Sequence, residues 1–253
     1  MNHVSERQEK QSFRRIAVLG ALDEEINLIA HNLTKVRQIQ KAGLSVTQGE
    51  MDPGSDCPPI YLAATVAGMG LVNAAAATQF LLDSFQPDAV IFSGIAGNLN
   101  PSLHINDIVL GQTVRYLDSD MSLIGQAYPG LTEYHSDPVL LSAASAVLDS
   151  LGIMYKKGTI ASGNRFIQGD TAIAEVKEQT GADAAEMEGA AVCHIAAKND
   201  CPALIIRALS DNADTEYDTF KEFDISEYAN TAARIVVEVI RELGRHRESS
   251  DSR

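Results

Sequence analysis

The chain has 253 residues and a formal net charge of −14, from 20 Lys and Arg against 34 Asp and Glu, and 45% of its residues are hydrophobic. This length predicts one globular domain, and the acidic balance argues against a nucleic-acid partner, whose phosphates bind clustered Lys and Arg. Three cysteines, Cys57, Cys193 and Cys201, are too few for a disulfide framework and fit a reducing cytoplasm. We therefore expect a cytoplasmic protein that binds a small molecule and neither nucleic acid nor membrane.

The two ends of the chain differ in composition from its middle. Residues 1–14 are polar and have no apolar core, so they cannot form a signal peptide. We expect a disordered leader over 1–14, a single domain over 15–243 and a flexible tail over 244–253.

One uncharged stretch, 57–82, is long enough to cross a bilayer. Two prolines open it, Gly68 and Gly70 interrupt it, and polar residues such as Asn73 fall where a membrane makes them costly. We therefore predict a buried strand, a glycine turn and a helix instead of a membrane span.

Short β-branched runs that alternate with amphipathic or Ala-rich runs predict strands followed by helices. In the first half of the chain, the predicted strands are 15–20, 44–48, 60–66 and 89–93, and the predicted helices are one that ends at Asn32 and one over 71–85. The glycines of Gly94-Ile-Ala-Gly97, directly after the fourth strand, favour a loop.

The second half continues the alternation of strands and helices. The predicted strands are 107–110, 113–117, 157–162 and 203–209, and the predicted helices are 138–151, one that begins at Asp170, 187–199 and 225–243. The last helix keeps a 3.6-residue apolar period over five turns. Residues 119–136 have turn residues and no period, which indicates a long active-site loop. The whole pattern predicts a single-domain, three-layer α/β/α fold with a mixed, largely buried central sheet.

Residues that follow strands are the first candidates for function, because ligands of α/β sheets bind beyond the carboxyl ends of the strands. Four such places carry polar groups or glycines: Asp23-Glu24-Glu25, Gly94-Ile-Ala-Gly97, Glu186-Met187-Glu188, and Arg207 with Ser210-Asp211 and Asp214. Each also has a structural explanation. Acidic residues in the first turn of a helix complement its dipole, Ser-Asp pairs cap helices, and glycines without the Walker spacing allow close backbone packing.

Taken together, these places indicate an active site. Carboxylates from three separate strand ends could meet in one pocket, with few basic groups beside them. This combination suits cleavage of a bond through a cationic, oxocarbenium-like transition state, in which one acid protonates the leaving group and another residue activates water. The residues therefore favour glycoside chemistry over phosphate chemistry.

Several motifs in order resemble the methylthioadenosine/S-adenosylhomocysteine nucleosidases of the purine nucleoside phosphorylase superfamily. They are Ile16-Ala-Val-Leu-Gly-Ala-Leu-Asp-Glu-Glu-Ile26, Val66-Ala-Gly-Met-Gly-Leu-Val-Asn73, Ser93-Gly-Ile-Ala-Gly97, Asn106-Asp-Ile-Val109, Ser162-Gly-Asn-Arg-Phe-Ile167, Gly181-Ala-Asp-Ala-Ala-Glu-Met-Glu-Gly189 and Arg207-Ala-Leu-Ser-Asp-Asn-Ala-Asp214. The resemblance runs from about Arg15 to Leu243. It implies a nucleoside phosphorylase-like fold and hydrolysis of the N-glycosidic bond of an adenine nucleoside, without cofactor or metal.

The resemblance also implies a role for individual residues. Glu25 matches the general base that activates water, and Arg207 matches the residue that helps to hold this water. Asp211 matches the acid that protonates N7 of the leaving adenine, supported by Ser210. The remaining matches form the substrate site: Glu188 binds the sugar hydroxyls, Met187 packs on the sugar, Phe166 stacks on the base, Ile167 contacts the base through its backbone, and Ala96 and Gly97 line the site.

The sequence also departs from the family pattern. Ile95 replaces a hydroxyl residue near the water and sugar, Leu71 replaces a commonly basic residue, and the loop over 117–134 differs around the 5′ substituent. These departures leave the 5′ substituent open. Another purine nucleoside such as futalosine, a phosphorylase reaction and a non-catalytic nucleoside sensor are the alternatives. The resemblance further implies a homodimer, because relatives complete the 5′ side of the pocket with a neighbour's side chain.

Overall fold

A computed structural model describes residues 12–54, 57–213 and 224–245 of the chain. In these residues ten strands form one mixed sheet: β1 (Arg15–Gly20), β2 (Thr34–Lys41), β3 (Leu44–Met51), β4 (Ile60–Val66), β5 (Ala89–Asn98), β6 (Ile108–Tyr116), β7 (Tyr134–His135), β8 (Tyr155–Ser162), β9 (Ala184–Glu186) and β10 (Ala203–Asp211). The helices are α1 (Asp23–His31), α2 (Leu71–Phe85), α3 (Met121–Ile124), α4 (Pro138–Leu151), α5 (Asp170–Thr180), α6 (Gly189–Lys198) and α7 (Ser226–Arg245).

Helices cover both faces of the sheet, as the alternating pattern predicts. On one face α1, α4 and α7 pack on a core that includes Ile29, Leu148 and Val236. On the other face α2 and α6 pack together over a second core, in which alanines such as Ala74 and Ala190 allow close approach. The three-layer α/β/α fold with a mixed, buried sheet is therefore confirmed.

The sheet order creates a closed ring at one end of the molecule. The order is β10-β6-β8-β9-β5-β1-β4-β3-β2, and β10 also pairs with β5. Strands β10, β6, β8, β9 and β5 therefore surround a common interior, while β1, β4, β3 and β2 extend from β5 as an open sheet. Because β1 and β10 both run parallel to β5, their carboxyl ends lie at one edge beside it.

Several predicted elements have different bounds in the structure. Gly94-Ile-Ala-Gly97, predicted as a loop, continues β5, because this segment pairs with β10 and Gly97 also pairs with β9. The two strands predicted over 107–110 and 113–117 form one strand, β6, with an irregularity between Gly111 and Thr113. The 119–136 stretch, predicted as a loop, contains α3 and β7.

Two predictions at the ends of the domain also need adjustment. Packing begins before the predicted boundary at Arg15, because Phe13 is buried in the core and the Arg14 N–H donates to Asp88 Oδ2 at 2.7 Å. Helix α7 continues to Arg245, into the predicted tail. The rest of the predicted leader and tail lies outside the described residues.

The uncharged stretch forms β4 and most of α2, as predicted. Its glycine turn has a positive φ at Gly68 (86°) and Gly70 (97°), a conformation that favours glycine. Within 12–54, 57–213 and 224–245, no helix is long and apolar enough to cross a membrane.

Candidate active site

A cavity opens where the carboxyl ends of β1, β9 and β10 meet the end of β5. It is lined by every residue predicted for the site except Arg207, which is buried behind its wall; those that line it are Glu25, Ala96, Gly97, Phe166, Ile167, Met187, Glu188, Ser210 and Asp211. Leu22, Met69, Ile95, Arg165 and Glu186 also line it. Asp214, part of the last motif, lies outside the described residues.

Glu25 is fixed in the first turn of α1 by backbone donors. Its Oε2 accepts from the N–H groups of Ala21 (2.5 Å) and Leu22 (3.0 Å), and its Oε1 accepts from the N–H of Ile95 at 3.1 Å. Burial raises the pKa of Glu25, while the nearby Arg207 and the backbone donors oppose this shift. The helix-dipole explanation is thus correct for the position of this carboxylate in the first turn, but it does not account for its burial in a cavity wall.

Gly94 leaves the space in which Glu25 and Arg207 meet. A Cβ atom at this position would overlap both Arg207 Nη1 and Glu25 Oε1, and neither side chain has room to move because both are buried. Gly94 of β5 is therefore required by the close approach of two buried, ionisable side chains.

Arg207 is the central cation of a buried cluster. Its side chain is 1% exposed, its Nη2 pairs with Glu186 Oε2 and lies 3.6 Å from Glu188 Oε2, and its guanidinium lies over the ring of Phe92. Burial acts to lower the pKa of Arg207, but Glu186, Glu188 and Glu25 raise it, so the group stays charged.

Glu188 lies immediately before α6, and its Oε1 accepts from the N–H of Gly70 at 2.7 Å. This contact joins it to Gly70, the residue immediately before α2. Burial and then the negative charge of Glu186 raise the pKa of Glu188 to about 8, while Arg207 and the Gly70 N–H oppose the shift. The helix predicted over 187–199 begins only at Gly189, so Met187 and Glu188 precede it.

Asp211 faces the cavity at the end of β10. Its Oδ2 accepts from Ser210 Oγ at 2.9 Å and its Oδ1 accepts from the N–H of Ala213 at 2.7 Å. The Ser210 hydroxyl also lies 3.4 Å from the carbonyl oxygen of Ala96. The hydroxyl of Ser210 and the backbone just after β10 therefore hold the carboxyl group in a buried position.

Glu186 is the site residue whose role sequence reasoning missed. The sequence pattern treats it with Glu188 as a carboxylate at the start of a helix, but it ends β9 and pairs with the buried Arg207. The sequence contained a signal for this role, because a carboxylate at the end of a buried strand needs a charged or hydrogen-bonding partner. Among the residues that the structure describes, no group of three or more His, Cys, Asp or Glu side chains could hold a metal ion.

The chain is similar to known proteins over most of its length. Residues 15–241 match the family model of the phosphorylase superfamily. A 5′-methylthioadenosine/S-adenosylhomocysteine nucleosidase from Chromohalobacter salexigens is 32% identical over 237 residues, which cover 91% of this chain and 98% of the relative.

Two solved structures are similar over almost their full length. The 5′-methylthioadenosine/S-adenosylhomocysteine nucleosidase of Neisseria meningitidis, in complex with methylthio-immucillin-A, has a TM-score of 0.82 and 31% identity, covering 90% of this chain and 99% of that one. The futalosine hydrolase of Helicobacter pylori has a TM-score of 0.80 and 28% identity, covering 91% and 98%. On the family model and the sequence relative, the chain belongs to the 5′-methylthioadenosine/S-adenosylhomocysteine nucleosidase family within the phosphorylase superfamily.

Proposed function

We propose that this protein hydrolyses the N-glycosidic bond of a 5′-modified adenine nucleoside, such as methylthioadenosine, S-adenosylhomocysteine or 5′-deoxyadenosine, and releases adenine and the free sugar. The observation that carries the proposal is the meeting of Glu25, Glu188 and Asp211 around one cavity, with Arg207 behind its wall. Family membership supports the same reaction.

Glu25 acts as the general base. A buried carboxylate with a raised pKa is a better proton acceptor than one in water, and three backbone donors fix its orientation. Arg207, whose Nη1 borders the same space beside Gly94 as Glu25 Oε1, helps to hold the attacking water. Glu25 takes one proton from this water while the oxygen of the water bonds to the anomeric carbon of the sugar.

Asp211 supplies the proton that the leaving base needs. Adenine is a poor leaving group as an anion, so protonation at N7 lowers the barrier to bond cleavage. Ser210 and the Ala213 N–H orient the carboxyl group. Phe166 stacks on the base and Ile167 contacts it through its backbone, and both residues line the same cavity.

Glu188 stabilises the sugar in the transition state. It binds the sugar hydroxyls while Met187 packs on the sugar and Ala96 and Gly97 line the adjoining wall. Positive charge develops on the sugar as the glycosidic bond breaks, so a carboxylate beside it stabilises the transition state more than the neutral substrate.

Water suits this site better than phosphate as the nucleophile. When ionised, Glu25 and Glu188 place negative charge on the wall of the cavity, and both are buried, where repulsion between like charges is strong. The N–H of Gly70, at the start of α2, donates to Glu188 and is therefore not available to bind a phosphate. We therefore expect hydrolysis without phosphate.

We infer that the active form is a homodimer. Large apolar side chains are exposed at the start of α2 and in the 119–136 segment: Met69, Val72, Leu123, Ile124, Tyr128 and Leu131. Met69 also lines the cavity, so a second copy that covers it would close the 5′ side of the site. Light scattering should give twice the chain mass, and Leu123→Asp, which charges this surface, should shift the mass to that of one chain.

We also infer a cytoplasmic location. The chain has three cysteines, an odd number that does not form a disulfide framework. Burial raises the pKa of Cys193 and of Cys201 to about 12, so these two thiols stay protonated at neutral pH.

The first experiment measures which bond is cut and whether phosphate is needed. Purified protein is incubated with methylthioadenosine, S-adenosylhomocysteine, 5′-deoxyadenosine, adenosine, inosine and futalosine, with and without phosphate, and free base and sugar are separated by chromatography. We expect adenine release from the 5′-modified adenosines without phosphate. Release that requires phosphate contradicts the role of Glu25, and preference for futalosine favours the function of the Helicobacter pylori relative.

A variant separates catalysis from binding. Glu25→Gln keeps the size of the side chain but removes the base, so turnover should fall by a factor of about 100 to 10,000. Nucleoside binding, measured by calorimetry, should remain. Wild-type protein that binds nucleosides but releases no base from any of them supports the nucleoside sensor.

A further inference from the structure

Both carboxylate oxygens of Glu186 accept hydrogen bonds. Its Oε1 accepts from Ser162 Oγ and from the Gly189 N–H at 3.0 Å, and its Oε2 accepts from the N–H groups of Glu188 (3.1 Å) and Gly189 (2.8 Å) and from Arg207 Nη2. The side chain is 2% exposed. Donors to both oxygens keep this carboxyl group in one orientation.

Ser162, at the end of β8, also helps to fix this carboxylate. It is fully buried, donates to Glu186 and accepts from the Ala190 N–H at 2.8 Å. The serine therefore ties Glu186 to the first turn of α6, so that neither oxygen can turn away from Arg207.

Arg207 needs such an anchor because other carboxylates attract it. Glu25 Oε1 and Arg207 Nη1 border the same space beside Gly94, and Glu188 Oε2 lies 3.6 Å from Arg207 Nη2. Without a fixed partner the guanidinium would move toward either of them, and a displacement of about 1 Å is enough to cost a factor of about 100 in rate. Glu186 is the only member of the cluster that bonds to Arg207 within hydrogen-bond distance among the described residues.

We propose that Glu186, held by Ser162, is a positioning residue for the hydrolysis: it keeps the Arg207 guanidinium next to Glu25 and Glu188. This inference rests on the proposed function, because Glu25 and Glu188 carry the reaction. Glu186 acts on the substrate through Arg207 and Glu188.

The test compares two variants with a matched control. Glu186→Gln keeps the shape of the side chain but removes its charge and replaces one of its two acceptor oxygens by an NH2 donor. Ser162→Ala removes the hydroxyl that holds Glu186. The control is Ser93→Ala in β5, because the Ser93 hydroxyl is equally buried and has no hydrogen-bond partner among the described residues.

Glu186→Gln should lower kcat by a factor of about 100 and change KM less than threefold, because the substrate's own contacts remain. It should also move the acid limb of the pH profile of kcat/KM to lower pH. The negative charge of Glu186 disfavours ionisation of Glu188, so its removal lowers the pKa of Glu188. Ser162→Ala should lower kcat about tenfold through the loss of one hydrogen bond to a charged group, and Ser93→Ala should match the wild type.

The outcomes separate this role from a structural one. A change in folded fraction lowers the apparent kcat but leaves the acid limb at the wild-type pH, and that result for Glu186→Gln overturns the proposal. If Glu186→Gln does not fold, Ser162→Ala decides, and kinetics equal to those of Ser93→Ala overturn the proposal. Wild-type protein that releases no base from any nucleoside refutes the proposed function itself, before any variant is compared.

Discussion

Replacement of Glu188 by Gln tests the electrostatics of the cavity. The wild-type pKa is raised from 4.5 to about 8, first by burial and then by the charge of Glu186. If Glu188 must be ionised to stabilise the sugar, about one tenth of the free enzyme is competent at pH 7. The kcat/KM of the wild type should then rise about tenfold between pH 6 and 7 and level off above pH 8.

The Gln variant removes the charge at every pH. A carboxylate about 4 Å from a unit positive charge contributes roughly 4 kcal/mol at an effective dielectric constant of 20, which corresponds to a factor of about 1,000 in rate. We therefore expect kcat/KM at pH 9 to fall by about 100 to 1,000. The remaining acid limb should move to lower pH, because Glu25 has lost a negative neighbour.

The pH dependence of folding stability is a second measurement, and the raised pKa of Glu188 fixes its direction. Since the folded pKa of Glu188 lies above its unfolded value, the folded protein binds the proton more tightly, and the wild type loses stability as pH rises from about 4.5 to about 8. The Gln variant lacks this loss, so its Tm should fall less over that range.

The assay is the initial rate of adenine release from methylthioadenosine between pH 5.5 and 9.5, with thermal unfolding in the same buffers. A wild-type kcat/KM that stays flat down to pH 6 refutes the reasoning. An acid limb at the same pH in the wild type and in the Gln variant assigns the titration to another group.

Three further substitutions test separate parts of the site. Asp211→Asn should lower kcat for adenine nucleosides by a factor of about 100 to 10,000, but should largely spare a p-nitrophenyl riboside, whose leaving group needs no proton; equal losses on both substrates contradict the acid role. Gly94→Ala should reduce kcat at least about 100-fold and lower the Tm, because the added methyl overlaps Arg207 and Glu25; an active, stable variant contradicts the tight approach. Phe166→Ala should raise KM about tenfold with little change in kcat, since stacking on a base contributes about 1 to 3 kcal/mol, and steady-state kinetics check both values.

The sequence was sufficient to predict the layers of the fold and the position of the main carboxylates. Strands β1, β4 and β10 are β-branched or apolar runs, and Glu25 and Asp211 lie at or just after the ends of two of them. The edge strand β2, which pairs with β3, was not predicted because it is exposed on both faces, with Lys35, Arg37 and Lys41 along it. Charged residues are typical of an edge strand and remove the alternation that predicts one.

Features that depend on long-range pairing could not be predicted in this way. Gly94 and Gly97 are strand residues because β10 and β9 pair with the end of β5, and no local pattern records these partners. The salt bridge between Glu186 and Arg207 also depends on long-range strand pairing. Their strands, β9 and β10, each pair with β5, so the two side chains meet only when the ring of strands closes.

In the proposed mechanism, the cluster that this ring brings together stabilises the transition state more than the substrate. Glu25, Glu186 and Glu188 outnumber the single cation Arg207, so the cluster carries an excess of negative charge when all three carboxylates are ionised. Burial makes this excess costly, and the raised pKa values of Glu25 and Glu188 reflect that cost. A neutral nucleoside does little to relieve it, whereas a sugar that becomes positive does so as the glycosidic bond breaks. In the proposed reaction, this repulsion between carboxylates is therefore relieved as the glycosidic bond breaks, and its relief lowers the barrier to hydrolysis.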